Sequence, residues 1–220
     1  MLRIESLFGP DILPEIRNHV VTDYGCGPGL EAIELAQNGA RAVFGIDIRQ
    51  RMIEAAQRNA QAAGVHNVFF SDCPPESTDL IFSIDAFEHF GNPAEILEKW
   101  ASILNPRGKV IISFGPPWYH PRGGHFFSFF PWSHILFPEK MLCKWRLRYK
   151  KDGAMRFCDT EGGLNQMTIR RFEKLVRLSP FVCRHMRLIP IRLVRSLHCR
   201  ATREFFTSII QCELLLRDGN

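Results

Sequence analysis

The sequence predicts an α/β fold, a mostly parallel sheet with helices on both faces. Three observations carry this expectation. Short apolar runs alternate with helix-patterned stretches from residue 19 to residue 115. The intervening stretches suit helical crossovers, which join parallel strands. The first apolar run also opens into D-Y-G-C-G-P-G (23–29), with glycine at every second position. Glycine tolerates unusual backbone angles and lets another molecule approach the main chain, and a helix start adds unpaired N–H groups.

In chain order, residues 19–25 read as the first strand and 29–39 as a helix stopped by Gly39. Residues 41–48 form the second strand. Residues 49–64, rich in strong helix formers and closed by Gly64, form the next helix. The third and fourth strands are expected at 68–72 and 79–85. A helix at 93–104 begins with Pro in its first turn, and N-P-R-G turns the chain into a fifth strand at 109–115. The alternation then stops, and resumes with a helix at 168–179 and strands at 181–191 and 205–217. Residues 116–165 are read as an inserted cap within a single domain, because so long a structureless loop is unusual in a compact fold. Its second part, 138–151, has helical periodicity, with Met141, Leu142, Trp145 and Tyr149 on one stripe and Lys140, Lys144, Arg148 and Lys151 beside it; the Met141–Trp145–Tyr149 stripe is expected to face inward and the lysines outward.

Composition narrows the class. The 220 residues are 45% hydrophobic, enough for one well-buried core. No apolar run reaches the ~18–20 residues of a membrane-spanning helix. The N-terminus lacks a signal-peptide core, so a cytoplasmic protein is expected. Seven scattered cysteines without C-x-x-C point to neither a zinc site nor a disulfide framework. The net charge of +5 is uneven: residues 1–115 hold 9 Lys and Arg against 15 Asp and Glu, and residues 116–220 hold 19 against 8. Such a split suits an acidic partner, or simply a solvated basic face.

The glycines do not fit the dinucleotide fingerprint G-x-G-x-x-G, since Leu30 stands at its third glycine. The D-x-G-x-G-x-G pattern of Asp23, Gly25, Gly27 and Gly29 instead resembles the first motif of the class I S-adenosylmethionine-dependent methyltransferases. Asp47 at the end of strand two, Asp72 at the end of strand three, D-L-I-F-S-I-D-A-F-E-H-F (79–90) and L-N-P-R-G-K-V-I-I-S (104–113) follow in that family's order, nearest its branch acting on quinones and small molecules. The resemblance implies a Rossmann-like, seven-stranded sheet in the order 3-2-1-4-5-7-6 and S-adenosyl-L-methionine as cofactor; no metal is expected, because H-E-x-x-H is absent and His120 and His125 lack a third ligand. It assigns cofactor binding to Asp23, Gly25, Cys26, Gly27, Gly29, Asp47, Ile48, Asp72, Cys73, Asp85, Ala86 and Phe87. In it Asp47 holds the ribose hydroxyls, Asp72 the adenine amino group, and Asp85 and Phe87 the methionine part. Read from the residues alone, a helix cap is the alternative role for Asp47, with the glycines upstream favouring ligand binding.

Methyl transfer to a hydroxyl benefits from a general base, usually His. Ligands in open α/β sheets bind beyond the carboxyl ends of the strands, which selects His89, His120 and His125 from the eight histidines. Trp118, Tyr119, Phe126 and Trp132 are expected to line a large apolar acceptor pocket. The expected function is methyl transfer to a small or lipophilic acceptor. Nucleic-acid methylation is an alternative, favoured by the basic second half, as is a non-catalytic S-adenosylmethionine-binding subunit. The 138–151 helix is also a candidate for peripheral membrane contact.

Overall fold

The computed structural model describes residues 3–127, 130–150, 153–159 and 163–217. Two short helices, α1 (Arg3–Phe8) and α2 (Ile12–Ile16), precede β1 (Val20–Tyr24). The alternation expected from sequence follows: α3 (Leu30–Gln37), β2 (Ala42–Ile46), α4 (Gln50–Ala62), β3 (Val68–Ser71), β4 (Thr78–Ile84), α5 (Pro93–Ile103) and β5 (Leu104–Phe114). After a long connection holding α6 (Ser133–Leu136) and α7 (Glu139–Arg146) come α8 (Ile169–Leu178), β6 (Phe181–Pro190), α9 (Arg203–Phe206) and β7 (Thr207–Leu216).

The strands form one sheet in the order β3-β2-β1-β4-β5-β7-β6. β1 to β5 run parallel, and β7 lies antiparallel between β5 and β6. The helices cover both faces because their apolar positions fall on one side. In α4, Ile53, Ala56 and Ala60 are buried, and in α8, Ile169, Phe172 and Val176 are buried, spacings that line one helical face. The Thr168 side chain caps α8 by accepting from the Arg171 amide at 3.1 Å. Val110, Ile112 and Phe114 of β5 meet Trp100, Phe87 and Phe172 in one core. On the other face Val21, Val43 and Phe82 meet α1, α2 and α3.

Two boundaries differ from expectation. β5 begins at Leu104 rather than after the N-P-R-G turn, which survives as a register shift between Thr78 and Leu80 of its neighbour β4. The 138–151 segment is helical only over Glu139–Arg146, and its inward face is Leu142, Cys143 and Arg146. The expected Met141–Trp145–Tyr149 stripe is not the buried one. Met141 and Trp145 are half-buried and Tyr149 is 50% exposed. The helix ends too early for the stripe to continue, and Arg146 turns in to lie 5.1 Å above the Phe127 ring. Leu142 and Cys143 join Phe127, Phe157 and Leu164 in a small separate core.

Candidate active site

The glycine loop joins β1 to α3 at the carboxyl edge of the sheet. Gly25, Gly27 and Gly29 take φ of 88°, 50° and 79°, which glycine adopts at little cost. Their surroundings differ. A Cβ on Gly25 would stand 2.4 Å from the Ala86 Cβ, and one on Gly29 2.7 Å from the Ala56 Cβ. A Cβ on Gly27 would meet nothing within 4 Å. Gly25 and Gly29 therefore serve packing within the chain, while Gly27 leaves bare backbone facing open space.

Asp23, two residues upstream, is 2% exposed, and its Oδ2 has no partner among the described residues. Burial, helped by the Glu31 carboxylate, pushes its pKa from 3.8 to about 8. An orphaned carboxyl oxygen beside bare glycine backbone suits a cationic N–H donor.

Asp47 follows β2 and is almost fully used by its own chain. Its carboxylate accepts from the Gly27 amide at 3.0 Å, and from the amide, Nε and Nη2 of Arg49 at 2.9 Å each. Burial alone would raise its pKa, but the Arg49 guanidinium and the two amides more than offset that and hold it below the usual carboxylate range. Asp47 is not the cap of α4, a position taken by Arg49. Next to it Ile48 is 90% exposed, an apolar surface at the strand edge open to a flat ligand. Asp72 and Cys73 are exposed just beyond β3, and Cys26 is buried beneath the loop.

Beyond β4, Asp85 is exposed with φ of 49°. It pairs with Arg3, which also pairs with Glu31 at the start of α3. The amino end of α1 is thus fastened across the mouth between the glycine loop and the β4 end. Ala86 packs over Gly25. The Phe87 ring corrects expectation: it is fully buried against Phe114 and Phe172 at 5.5 and 5.2 Å between ring centroids, so only its backbone can face a ligand. The aromatic core draws this ring inward.

Glu88 was not singled out from sequence, although it stands beside His89 in the fourth-strand motif. It is 3% exposed, its Oε2 is unpartnered among the described residues, and burial pushes its pKa to about 8. Its other oxygen accepts from the Gly115 amide at 3.3 Å. Asn165 holds this turn from the connection, donating its side-chain amide to the Phe87 and Phe90 carbonyls at 2.8 and 3.0 Å.

Two of the three candidate histidines come together. The His89 and His125 rings lie 5.5 Å apart, centroid to centroid. His89 Nδ1 sits 2.6 Å from the Gly163 carbonyl oxygen, so Nδ1 carries the proton and Nε2 keeps its lone pair. His125 hydrogen-bonds to the Pro116 backbone and leaves a buried Nε2 unpartnered among the described residues. Burial and the neighbouring His89 and His134 hold it neutral, with a pKa of about 4. His120 is a correction. Its Nδ1 accepts from the Arg122 amide at 3.0 Å, leaving the proton on Nε2 and no lone pair to receive another. Burial lowers its pKa to about 4 as well.

The aromatic residues also divide. Trp118 packs on His134 and Phe157 at 4.7 and 5.1 Å, and the Trp132 indole N–H donates to the Tyr119 carbonyl at 2.9 Å. The Trp118 ring is taken up by the connection's own packing, while Trp132 spends its N–H on that backbone and keeps a half-buried ring. Tyr119 is 38% exposed and meets Phe205 at 5.6 Å. The Phe126 side chain lies outside the described residues. No cluster of three or more metal-ligating side chains occurs among the described residues.

Sheet order, glycine loop and strand-end acids together define a Rossmann-like domain of the class I methyltransferase type. Residues 22–112 match the family described as "Methyltransferase domain". Over 107 residues the chain is 30% identical to a ubiquinone biosynthesis O-methyltransferase of Neisseria meningitidis, covering 45% of each chain. It is 34% identical over 97 residues to a ribosomal protein L11 methyltransferase of Chromobacterium violaceum, covering 44% of this chain and 32% of that one. The chain therefore spans less than half the length of these relatives. The solved structure of magnesium protoporphyrin IX methyltransferase from Synechocystis, with bound SAH, superposes with a TM-score of 0.61 at 18% identity, covering 97% of this chain and 81% of that chain. Residues 22–112 thus match a methyltransferase domain on a Rossmann-like fold, and S-adenosyl-L-methionine is the cofactor this resemblance implies. The bare backbone at Gly27, the orphaned Asp23 oxygen and the exposed Ile48 fit such a group.

Proposed function

We propose that the chain transfers a methyl group from S-adenosylmethionine to the hydroxyl of a lipophilic small molecule. The observation that carries this reading is the His89–His125 pair, with Nε2 of both rings available, on the same sheet edge as the glycine loop. The cofactor supplies an electrophilic methyl group and departs as a neutral thioether, so no leaving group needs a proton. The chain's share is alignment, exclusion of water and removal of the acceptor's proton. Asp23 would receive the amino end of the cofactor, Asp47 the ribose hydroxyls in exchange for part of its Arg49 pairing, and Ile48 and Asp72 the adenine.

His89 is the proton acceptor in this reading, with its ring oriented by the Gly163 carbonyl. His125, held neutral beside it, keeps a second positive charge out of the pair. Residues 116–165 act as a cap, tied to the β4 end through Asn165 and His89 and excluding water from the reacting groups. A relative acting on a quinone precursor pathway supports a lipophilic acceptor, and one acting on a ribosomal protein supports a macromolecular one. Incubation with methyl-labelled S-adenosylmethionine and fractionated cell extract separates them. The proposal expects label in the organic-soluble fraction, and label confined to protein or RNA would overturn it.

A further inference from the structure

β6 and the connection that follows it carry a feature that neither the cofactor site nor the acceptor chemistry uses. From Phe181 through Arg203 the sequence has six arginines and no acidic residue. Three of them, Arg187, Arg192 and Arg195, line one recess of about 610 Å³ with His198. No carboxylate pairs with these three among the described residues. The acids within reach in sequence are engaged elsewhere. Glu204 accepts from the Ile169 and Arg170 amides, Glu213 pairs with Lys109 and Arg184, and Glu173 pairs with Arg203.

Large apolar side chains stand among these cations. Leu193 is 94% exposed and Leu197 54%, an arrangement with no gain for a side chain facing water. The recess lies on the sheet edge that carries the glycine loop. β6 and β5 are both antiparallel to β7, so the end of β6 lies on the same sheet edge as the glycine loop. The Tyr119–Phe205 contact joins the connection after β5 to the one after β6, and Ile135 and Leu136 of α6 are exposed as well.

We propose that the β6–β7 connection docks on an anionic phospholipid bilayer, with lipid phosphates entering the Arg187–Arg192–Arg195 recess and Leu193 and Leu197 entering the interface. Unpaired cations attract the negative surface, and apolar side chains then add burial. A nucleic acid would use the arginines but gain little from two aliphatic side chains in water. This surface replaces α7 as the membrane-facing element, because α7 turns Leu142, Cys143 and Arg146 inward. Its bearing on acceptor delivery rests on the proposed methyl transfer; the docking itself does not.

Vesicle co-sedimentation tests this without any activity measurement. Wild-type protein is mixed with vesicles of phosphatidylcholine, alone or with a third phosphatidylglycerol. Binding is expected only with the anionic vesicles and should fall with salt. At about fivefold per arginine, the Arg192→Gln/Arg195→Gln pair should lose roughly 25-fold in partitioning. Leu193→Ser/Leu197→Ser should lose about tenfold or more while keeping the salt dependence. Unchanged thermal melts confirm that these exposed substitutions leave the fold intact. Equal binding to neutral vesicles, or undiminished binding by the leucine pair, would overturn the proposal. So would a dimer, seen by sedimentation equilibrium, that the leucine pair abolishes, or wild-type binding to RNA in preference to anionic vesicles.

Discussion

Asp23→Asn is expected to stabilise the protein while weakening its hold on the cofactor. The folded chain keeps this carboxyl protonated up to about pH 8, whereas an exposed aspartate releases its proton near 3.8. Between those values the unfolded chain binds fewer protons than the folded one, so stability falls as pH rises, by about 1.4 kcal/mol per pH unit. Below 3.8 the effect is absent, and above about 8 it no longer grows. At pH 7 it amounts to about 4 kcal/mol. Asparagine has the same shape and no proton to lose. Urea unfolding should show the variant more stable than wild type near pH 7, with the two converging near pH 4. Calorimetric titration with S-adenosylhomocysteine should show wild-type affinity rising toward pH 8 by up to about tenfold per unit, because a cationic partner favours the ionised carboxylate. The variant should bind more weakly, with a flatter profile. A variant less stable than wild type at every pH, or two identical pH profiles, would refute the reasoning.

The glycines should separate by role. Gly25→Ala collides with Ala86 and should destabilise the fold by about 1–3 kcal/mol in urea unfolding. Gly27→Ala should cost about 1 kcal/mol for its positive φ yet lose most cofactor affinity in calorimetry, since the methyl would enter the open face. Asp47→Ala should weaken S-adenosylhomocysteine binding by about 2–3 kcal/mol, taking the ribose contacts as charge-assisted; unchanged binding with lower stability would make Asp47 only the partner of Arg49. His89→Gln should lower turnover on a hydroxyl acceptor by about 10²–10⁴-fold with cofactor affinity unchanged. His120→Gln should change turnover less than tenfold, on the order of ordinary packing effects.

The sheet was legible because each strand of the first half is a short apolar run closed by a glycine or an acid, and each helix buries one periodic face. The order 3-2-1-4-5-7-6 came from the resemblance rather than from any run of residues, and the hydrogen-bond register reproduces it. The α1 and α2 helices went unseen because they are six and five residues long, too short to show a period, and are held by packing on α3 and β4. In the site, the glycine loop was readable as a motif but not the division of labour within it, since what a Cβ would strike depends on Ala86 and Ala56, far away in sequence. Arg3 reaching Asp85 and Asn165 reaching Phe87 are contacts across 82 and 78 positions that no local pattern announces. Phe87 misled because an aromatic after a strand end reads alike whether it faces ligand or core. His120 misled because its tautomer is fixed by a backbone amide two residues on.

The assignment is tested most directly by thermal unfolding in the presence of S-adenosylhomocysteine, S-adenosylmethionine, NAD or NADP, each at saturating concentration. A ligand bound only by the folded state raises the melting temperature by mass action, by about 2.7 kcal/mol of stability at a hundred times its Kd. Both sulfur-containing ligands should raise the melting temperature of the wild type, less so that of Gly27→Ala, and NAD and NADP should leave it unmoved. A rise with NAD or NADP and none with the S-adenosyl compounds would contradict the cofactor, and with it the methyl transfer built upon it.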